Sequence, residues 1–251
     1  MKNLFDLGGK AAIVTGASTG LGAAMTLALA QAGADVLLVD HNERLETAQQ
    51  VRAVGRKAVT MTADLANAVV SASIVERAVH EFGKVDILVN NAGTIRRTPA
   101  LDFSEKDWDE VMNLNAKSLF FLSQAAARDM VKRKAGKIIN VASLLSFQGG
   151  ITVPSYAASK GAVAQVTKAL ANEWAARGLN VNAIAPGYMV TKNTEKLRSD
   201  ETRNRQITER IPAGRWGMPE DIQGTVVFLA SSASDYVNGH VLVVDGGWLA
   251  R

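Results

Sequence analysis

The stretch Ala11-Ala12-Ile13-Val14-Thr15-Gly16-Ala17-Ser18-Thr19-Gly20-Leu21-Gly22 decides the fold. Its first five residues form a short, almost wholly apolar run, as a strand buried on both faces requires. Leu21 to Gln31 is rich in alanine and predicts a helix. Between the two, glycines permit a tight turn, close backbone approach to a ligand and close packing of helix on strand. The unpaired amides of the helix start favour an anion there. Strand, glycine turn and helix in that order predict a βα unit with a phosphate-binding turn.

The alternation continues down the chain. Val36 to Val39 reads as a second strand ending at Asp40, followed by a polar helix from about Glu43 to Val54. Lys57 to Thr62 is a third strand, Val69 to Phe82 a helix, and Val85 to Val89 a fourth strand running into Asn90-Asn91-Ala92-Gly93. Ser104, with Asp107 three residues on, starts a long helix through Val131. Lys137 to Val141 is a strand, Pro154 to Arg177 a helix and Asn180 to Ala185 a strand. Thr191 to Arg215 reads as a less regular polar stretch, a lid over the substrate, before a helix at Pro219 to Ala230 and a last strand at Val241 to Val244. Continuous apolar strands alternating with helices imply one α/β domain over residues 1–251, with a seven-stranded parallel sheet covered by helices on both faces.

Composition narrows the functional classes. The 251 residues are 47% hydrophobic and 21% charged, an ordinary globular balance. With no cysteine there is no disulfide framework and no thiolate metal site. No apolar run approaches the ~20 residues that span a bilayer, and no leader pattern opens the chain, so a cytoplasmic protein without membrane contact is expected. The net charge of +4 is mild. The basic group Arg128, Lys132, Arg133, Lys134 and Lys137 reads as a solvated helix end, without the aromatic residues or motif of a nucleic-acid face.

Two further features carry chemistry. Asp40, eighteen residues after Gly22, ends the second strand, where a carboxylate accepts hydrogen bonds from a ribose diol and repels a 2′-phosphate. That predicts NAD rather than NADP. In Ser155-Tyr156-Ala157-Ala158-Ser159-Lys160, helical spacing places Tyr156 and Lys160 on one face. A phenol titrates near pH ~10 and is a poor base at neutral pH, and a nearby ammonium lowers that value. The two tips are expected to meet.

In their order and placement these motifs resemble the classical short-chain dehydrogenase/reductase family across essentially the whole chain. The glycine motif stands at Thr15 to Gly22, Asn-Asn-Ala-Gly at 90–93, the helix Asn at Asn115, the strand-end Ser at Ser143, Tyr-x-x-x-Lys at Tyr156 and Lys160, and Pro-Gly at Pro186-Gly187. The resemblance implies a Rossmann-type three-layer sandwich. It implies a catalytic set of Asn115, Ser143, Tyr156 and Lys160, with Asn115 holding a water that links Lys160 to solvent. It implies NAD binding by Gly16, Ser18, Thr19, Gly20, Leu21, Gly22, Asp40, Asp64, Leu65, Asn91, Ala92, Gly93, Tyr156, Lys160, Pro186, Gly187 and Thr191, with no metal ligands.

Ile95-Arg96-Arg97, Leu145 to Gly150 and the ending Asp245 to Arg251 are similar to a bacterial subgroup acting on six-carbon sugar acids from pectin or uronate breakdown. The implied reaction interconverts a secondary hydroxyl and a ketone on 2-dehydro-3-deoxy-D-gluconate at carbon 5 or 2-deoxy-D-gluconate at carbon 3. Gluconate oxidation at carbon 5, reduction of a polyol-type or 3-oxoacyl substrate, or a non-catalytic dinucleotide sensor are the alternatives. Arg96 or Arg97 is expected to bind the substrate carboxylate, since guanidinium matches it bidentately. Ser143, Gln148 and Tyr156 are expected on the reacting hydroxyls. A homotetramer is implied, with the Trp-bearing tail ending in Arg251 reaching a neighbouring subunit's site.

Overall fold

The computed structural model describes residues 3–42, 45–67 and 69–251. Seven parallel strands form one sheet: β1 (Ala11–Thr15), β2 (Asp35–Asp40), β3 (Ala58–Thr62), β4 (Ile87–Asn90), β5 (Gly136–Val141), β6 (Leu179–Pro186) and β7 (Val241–Val244). Their spatial order is β3-β2-β1-β4-β5-β6-β7. The chain builds outward from β1 to β3, then returns to lay β4 on the other side of β1. A crevice opens at that reversal, beyond the carboxyl ends of the strands, and ligands of open α/β sheets bind there.

Strand periodicity explains why the runs are continuously apolar. Val14 packs with Met25, Leu29, Val226 and Leu229 on one face, while its neighbour Ile13 packs with Ile74, Leu122, Met130 and Trp174 on the other. The first face is covered by α1 (Gly20–Gln31), the other by helices that include α3 (Val70–Phe82), after the short α2 (Glu46–Ala53). The expected helix start at Glu43 lies outside the described residues. No helix among the described residues is long and apolar enough to cross a membrane.

The long helix expected from Ser104 to Val131 is interrupted. Ser104 does cap it, its hydroxyl accepting from the Asp107 amide at 3.1 Å. The segment then runs as α4 (Glu105–Met112), a π-helical turn at Asn113–Lys117, and α5 (Ser118–Arg133). Such bulges cluster at functional sites, and Asn115 lies in this one. A buried polar network ties the middle of the sheet to its cover: the Asn90 amide donates to Ser123 Oγ and Asn140 Oδ1, both at 2.9 Å, and Asn140 donates to Thr167 Oγ1 at 2.9 Å. Leaving one such group unpaired costs about 1–3 kcal/mol, so the network registers β4 and β5 against α5 and α6 (Pro154–Trp174).

The stretch from Thr191 to Arg215 is more regular than its polar sequence predicts. It forms α7 (Glu195–Ser199) and α8 (Glu201–Arg210), the latter capped by the Asp200 side chain, which accepts from the Arg203 amide at 3.0 Å. Ile207 and Ile211 are buried with Leu144, Trp216 and Trp248 in a small separate core. Two isoleucines among many charges were too sparse to register as a helical stripe. After it, α9 (Gln223–Ala230) leads to β7.

The glycine turn is held by close packing. A Cβ on Gly22 would stand 1.9 Å from the Gly16 carbonyl oxygen and 2.6 Å from Asn91 Nδ2. Gly22→Ala is therefore expected to cost about 1–3 kcal/mol by overpacking, read as a thermal midpoint lower by roughly 2–4 °C per kcal/mol for a chain of this size. An unchanged midpoint would contradict that packing.

Candidate active site

Two large depressions lie at opposite ends of the sheet. The larger, about 870 Å³, is a groove at the amino ends of the strands. Several of its polar side chains already have partners: Lys137 donates to Asp235 and Asn180, Asn238 to the Leu179 carbonyl, and Asp86 pairs with Arg133 and Lys84. The second, about 390 Å³, lies at the carboxyl ends and is lined by the glycine turn, Asp40, Tyr156 and Lys160. Chemistry-bearing residues concentrate there, so the smaller cleft is the candidate site.

Of the residues read as cofactor-binding, Gly16, Thr19, Gly20, Leu21, Gly22, Asp40, Asp64, Leu65, Asn91, Ala92, Gly93, Tyr156, Lys160 and Thr191 line this cleft. A single clasp holds its floor. Asn91 Nδ2 donates to the carbonyls of Thr15 and Gly16 at 2.9 and 3.0 Å, while Thr15 Oγ1 accepts from the amides of Asn91 and Ala92, each at 3.0 Å. The Asp40 carboxylate accepts from the amides of Ser18 and His41 at 3.1 and 2.8 Å, so Ser18 braces Asp40 without lining the cleft. Pro186 and Gly187 do not line it either: the Gly187 amide donates to the Val244 carbonyl, and a Cβ there would stand 2.6 Å from Asp245 Cα. A tight glycine cradle, a helix start and a strand-end carboxylate together fit a dinucleotide. His41, Thr94, Leu114, Val141, Lys192 and Asn193 also line the cleft and went unread in the sequence. Most of them adjoin a residue that was read, which is the only signal they carry.

Asn115 is fully buried and locks two elements together. Its Oδ1 accepts from the Thr94 amide at 2.8 Å, and its Nδ2 donates to the Thr94 carbonyl at 2.9 Å and to Ser159 Oγ at 3.0 Å. Both side-chain donors are thereby used, and the side chain pins the Thr94 loop to α6.

Tyr156 and Lys160 both face the cleft, but their tips are not hydrogen-bonded to each other. Lys160 Nζ donates to the Val141 carbonyl at 2.6 Å and lies 5.6 Å from the centre of the Tyr156 ring. Burial lowers the Lys160 pKa from 10.5 to about 8. Burial also raises that of Tyr156, opposed by a hydrogen bond from Ser143 and by the charge of Arg97. The pull on the phenol thus comes from Ser143 and Arg97, where the helical spacing alone pointed to Lys160. Ser143 lies two residues past the end of β5, its Oγ accepting from the Leu145 amide at 3.2 Å.

The two arginines separate cleanly. Arg96 Nη2 meets Glu110 at 2.6 Å, its Nε lies 3.6 Å from Asp107, and its Nη1 donates to Thr94 Oγ1 at 3.0 Å, which ties the Thr94 loop to α4. Arg97 has no carboxylate partner among the described residues; it donates only to the Asn193 carbonyl at 3.2 Å. The next amide, Thr98, donates to the Thr152 carbonyl at 2.9 Å. Thr152 sits at φ +63, a costly conformation for a β-branched residue and one that clusters at ligand sites. Gln148 accepts from Trp248 Nε1 at 3.2 Å. The tail folds back on its own chain: Arg251 donates to the Glu209 and Arg210 carbonyls, where the end of α8 offers unpaired acceptors to a cation. It does not extend outward as an arm.

Known proteins agree with this architecture. The family model described as enoyl-(acyl carrier protein) reductase matches residues 16–249. A curated protein, 2-dehydro-3-deoxy-D-gluconate 5-dehydrogenase of Dickeya dadantii (strain 3937), is 61% identical over 99% of both chains. A solved structure from Agrobacterium tumefaciens with bound NADP is 54% identical, with a TM-score of 0.94 over all of both chains. A gluconate 5-dehydrogenase from Burkholderia cenocepacia J2315, solved with NADP and tartrate, is 39% identical, with a TM-score of 0.94 over 99% of this chain and 98% of that one. Likeness of this extent, on a sheet and cleft of this form, leaves one conclusion: the chain belongs to the short-chain dehydrogenase/reductase family.

Proposed function

We propose that this protein is an NAD-dependent dehydrogenase of a six-carbon sugar acid, interconverting the 5-hydroxyl and 5-ketone of 2-dehydro-3-deoxy-D-gluconate. The carrying observation is that Tyr156 and Lys160 line the same cleft as the glycine turn, in a chain 61% identical to a dehydrogenase of that substrate. Gluconate oxidised at carbon 5 is the second reading, favoured by the Burkholderia relative, and 2-deoxy-D-gluconate oxidised at carbon 3 is a third.

The residues divide the work as follows. The glycine turn, Asp40, Asp64, Leu65, Asn91 to Gly93 and Thr191 would hold the dinucleotide, which supplies the hydride acceptor when bound. Tyr156 takes the alcohol proton through its phenol oxygen, and Ser143 donates a hydrogen bond to the reacting oxygen, where charge develops. Lys160 supplies positive charge beneath the tyrosine. Arg97, free of carboxylates, binds the substrate's acid group, while Arg96 is structural. The 191–215 segment, reached by Arg97 through Asn193, closes over the substrate.

The preference for NAD rests on charge. The Asp40 carboxylate stands in the cleft and would repel a 2′-phosphate. The NADP in the two solved relatives belongs to those proteins. The same reading includes a cytoplasmic setting, a role in pectin or uronate breakdown and a homotetramer. Exposed Leu101 and Trp108 near α4, Phe121 on α5, and the unpaired edge of β7 supply surface for such an assembly.

The test is reduced-nicotinamide absorbance with purified protein, NAD or NADP, and a panel of 2-dehydro-3-deoxygluconate, 2-deoxygluconate and gluconate. The first acid with NAD is expected to give the highest kcat/KM. Arg97→Gln is expected to raise KM for that acid by roughly tenfold or more, as for loss of a charge-assisted pair, with Arg96→Gln much milder. Turnover of none of the acids would refute the reading, and equal effects of the two substitutions would remove Arg97 from the carboxylate site.

Lys160 carries a cost that only function explains. A shift from 10.5 to about 8 corresponds to about 3 kcal/mol of folding stability, since the folded state must keep a buried cation. That cost is full below pH 8. It fades between 8 and 10.5, where the folded state alone has lost the proton. Lys160→Met should therefore stabilise the fold at pH 7 by about 1–3 kcal/mol after losing the Val141 hydrogen bond, read as a higher thermal midpoint, with the gain shrinking towards pH 10. A lower midpoint at pH 7 would contradict it.

A further inference from the structure

Trp248 is the most connected residue of the tail, and its contacts run in two directions. Its ring lies under the Arg210 guanidinium at 4.0 Å and against Tyr188 at 4.6 Å, in the small core that contains Ile207 and Ile211. Its indole nitrogen donates to Gln148 Oε1 at 3.2 Å, on the loop that follows Ser143. One buried side chain thus spans the end of α8 and the loop beside the reacting oxygen.

The polarity of that bond fixes Gln148. An indole N–H is a donor and never an acceptor, so Gln148 must present its oxygen to Trp248. The other end of the amide, Nε2, is then a donor with no protein partner among the described residues, on a side chain that is only partly buried. Without the indole the amide could turn over and offer either end. A polyhydroxy acid presents lone pairs on hydroxyl, ketone and carboxylate oxygens, so a fixed donor distinguishes it from an apolar alcohol.

We propose that Trp248 is a positioning residue for the sugar-acid site, orienting Gln148 so that its amide donates to a substrate oxygen. The inference rests on the functional reading above, in which the sugar acid lies beside Ser143 and Gln148. Arg251 is held by the carbonyls at the end of α8, the same helix end whose Arg210 guanidinium covers the indole. The tail acts within its own subunit, as a brace between α8 and the Gln148 loop.

The experiment compares wild type, Trp248→Phe, Gln148→Ala and the double variant, each assayed with 2-dehydro-3-deoxygluconate and NAD. Phe keeps an aromatic ring for Arg210 and Tyr188 while removing the N–H, and the lost ring volume is reported separately by the thermal midpoint and by the Gln148→Ala background. Trp248→Phe is expected to raise KM for the acid roughly fivefold to tenfold, the worth of one oriented hydrogen bond, with kcat and the KM for NAD within about twofold. In the Gln148→Ala background the same change should add nothing, since coupled residues are not additive. An unchanged KM, an equal penalty in that background, or a parallel loss of NAD affinity would overturn the proposal. If wild type turns over none of the acids, the functional reading fails first and this inference with it; turnover with an unchanged KM in Trp248→Phe sinks this inference alone.

Discussion

The bonds between Asn91 and Thr15 are the constraint on which the rest of the site depends. They join the end of β4 to the glycine turn after β1, across the point where the strand order reverses. An open α/β sheet always leaves a crevice there, but a crevice alone has no defined floor. The clasp defines one, and Gly22 allows it by bringing the start of α1 to within contact of the Gly16 carbonyl. From that floor the remaining parts follow in sequence. Thr94, directly after the clasp, is gripped by Asn115; Asn115 also holds Ser159, and Ser159 donates to the Tyr156 carbonyl at 2.8 Å. A line of hydrogen bonds, joined through the backbone from Ala92 to Thr94, therefore runs from the glycine turn to the helix bearing Tyr156 and Lys160.

Much of this was legible in the sequence because it is local. The strand–turn–helix at Ala11 to Gly22, the Ser104 cap and the four-residue spacing of Tyr156 and Lys160 are each settled by residues a few positions apart. The sheet followed from counting apolar runs, and its parallel sense from their lack of alternation. What was not legible depends on pairing across the fold. Two adjacent arginines look equivalent on paper, and only Glu110 and Asp107, brought close by α4, commit Arg96 to structure and leave Arg97 free. The lid stretch hid two buried isoleucines among charges, and its packing partner, Trp248, lies more than thirty residues away. Lys160 donates to a strand carbonyl that helical spacing cannot reveal.

The site also shows where stability yields to chemistry. A buried lysine whose hydrogen-bond acceptor is a carbonyl and a left-handed Thr152 are each unfavourable for a folded chain. Lys160 lines the cleft and Arg97 reaches Asn193 on its wall, whereas in the groove at the opposite end of the sheet Asp86, Lys137 and Asp235 are all in ion pairs. That asymmetry distinguishes a working surface from a merely concave one. It also argues against a purely dinucleotide-binding module, which would have no use for a buried cation beneath a tyrosine.

The central claim is that Tyr156 moves the proton while the glycine turn and its clasp hold the dinucleotide independently of it. Tyr156→Phe measures this most directly, with turnover and dinucleotide affinity followed on the same preparation. The account predicts a loss of sugar-acid oxidation of at least about a hundredfold, the typical contribution of a positioned acid–base group, with dinucleotide affinity within about twofold of wild type. Retained turnover would contradict it and remove Tyr156 from the reaction.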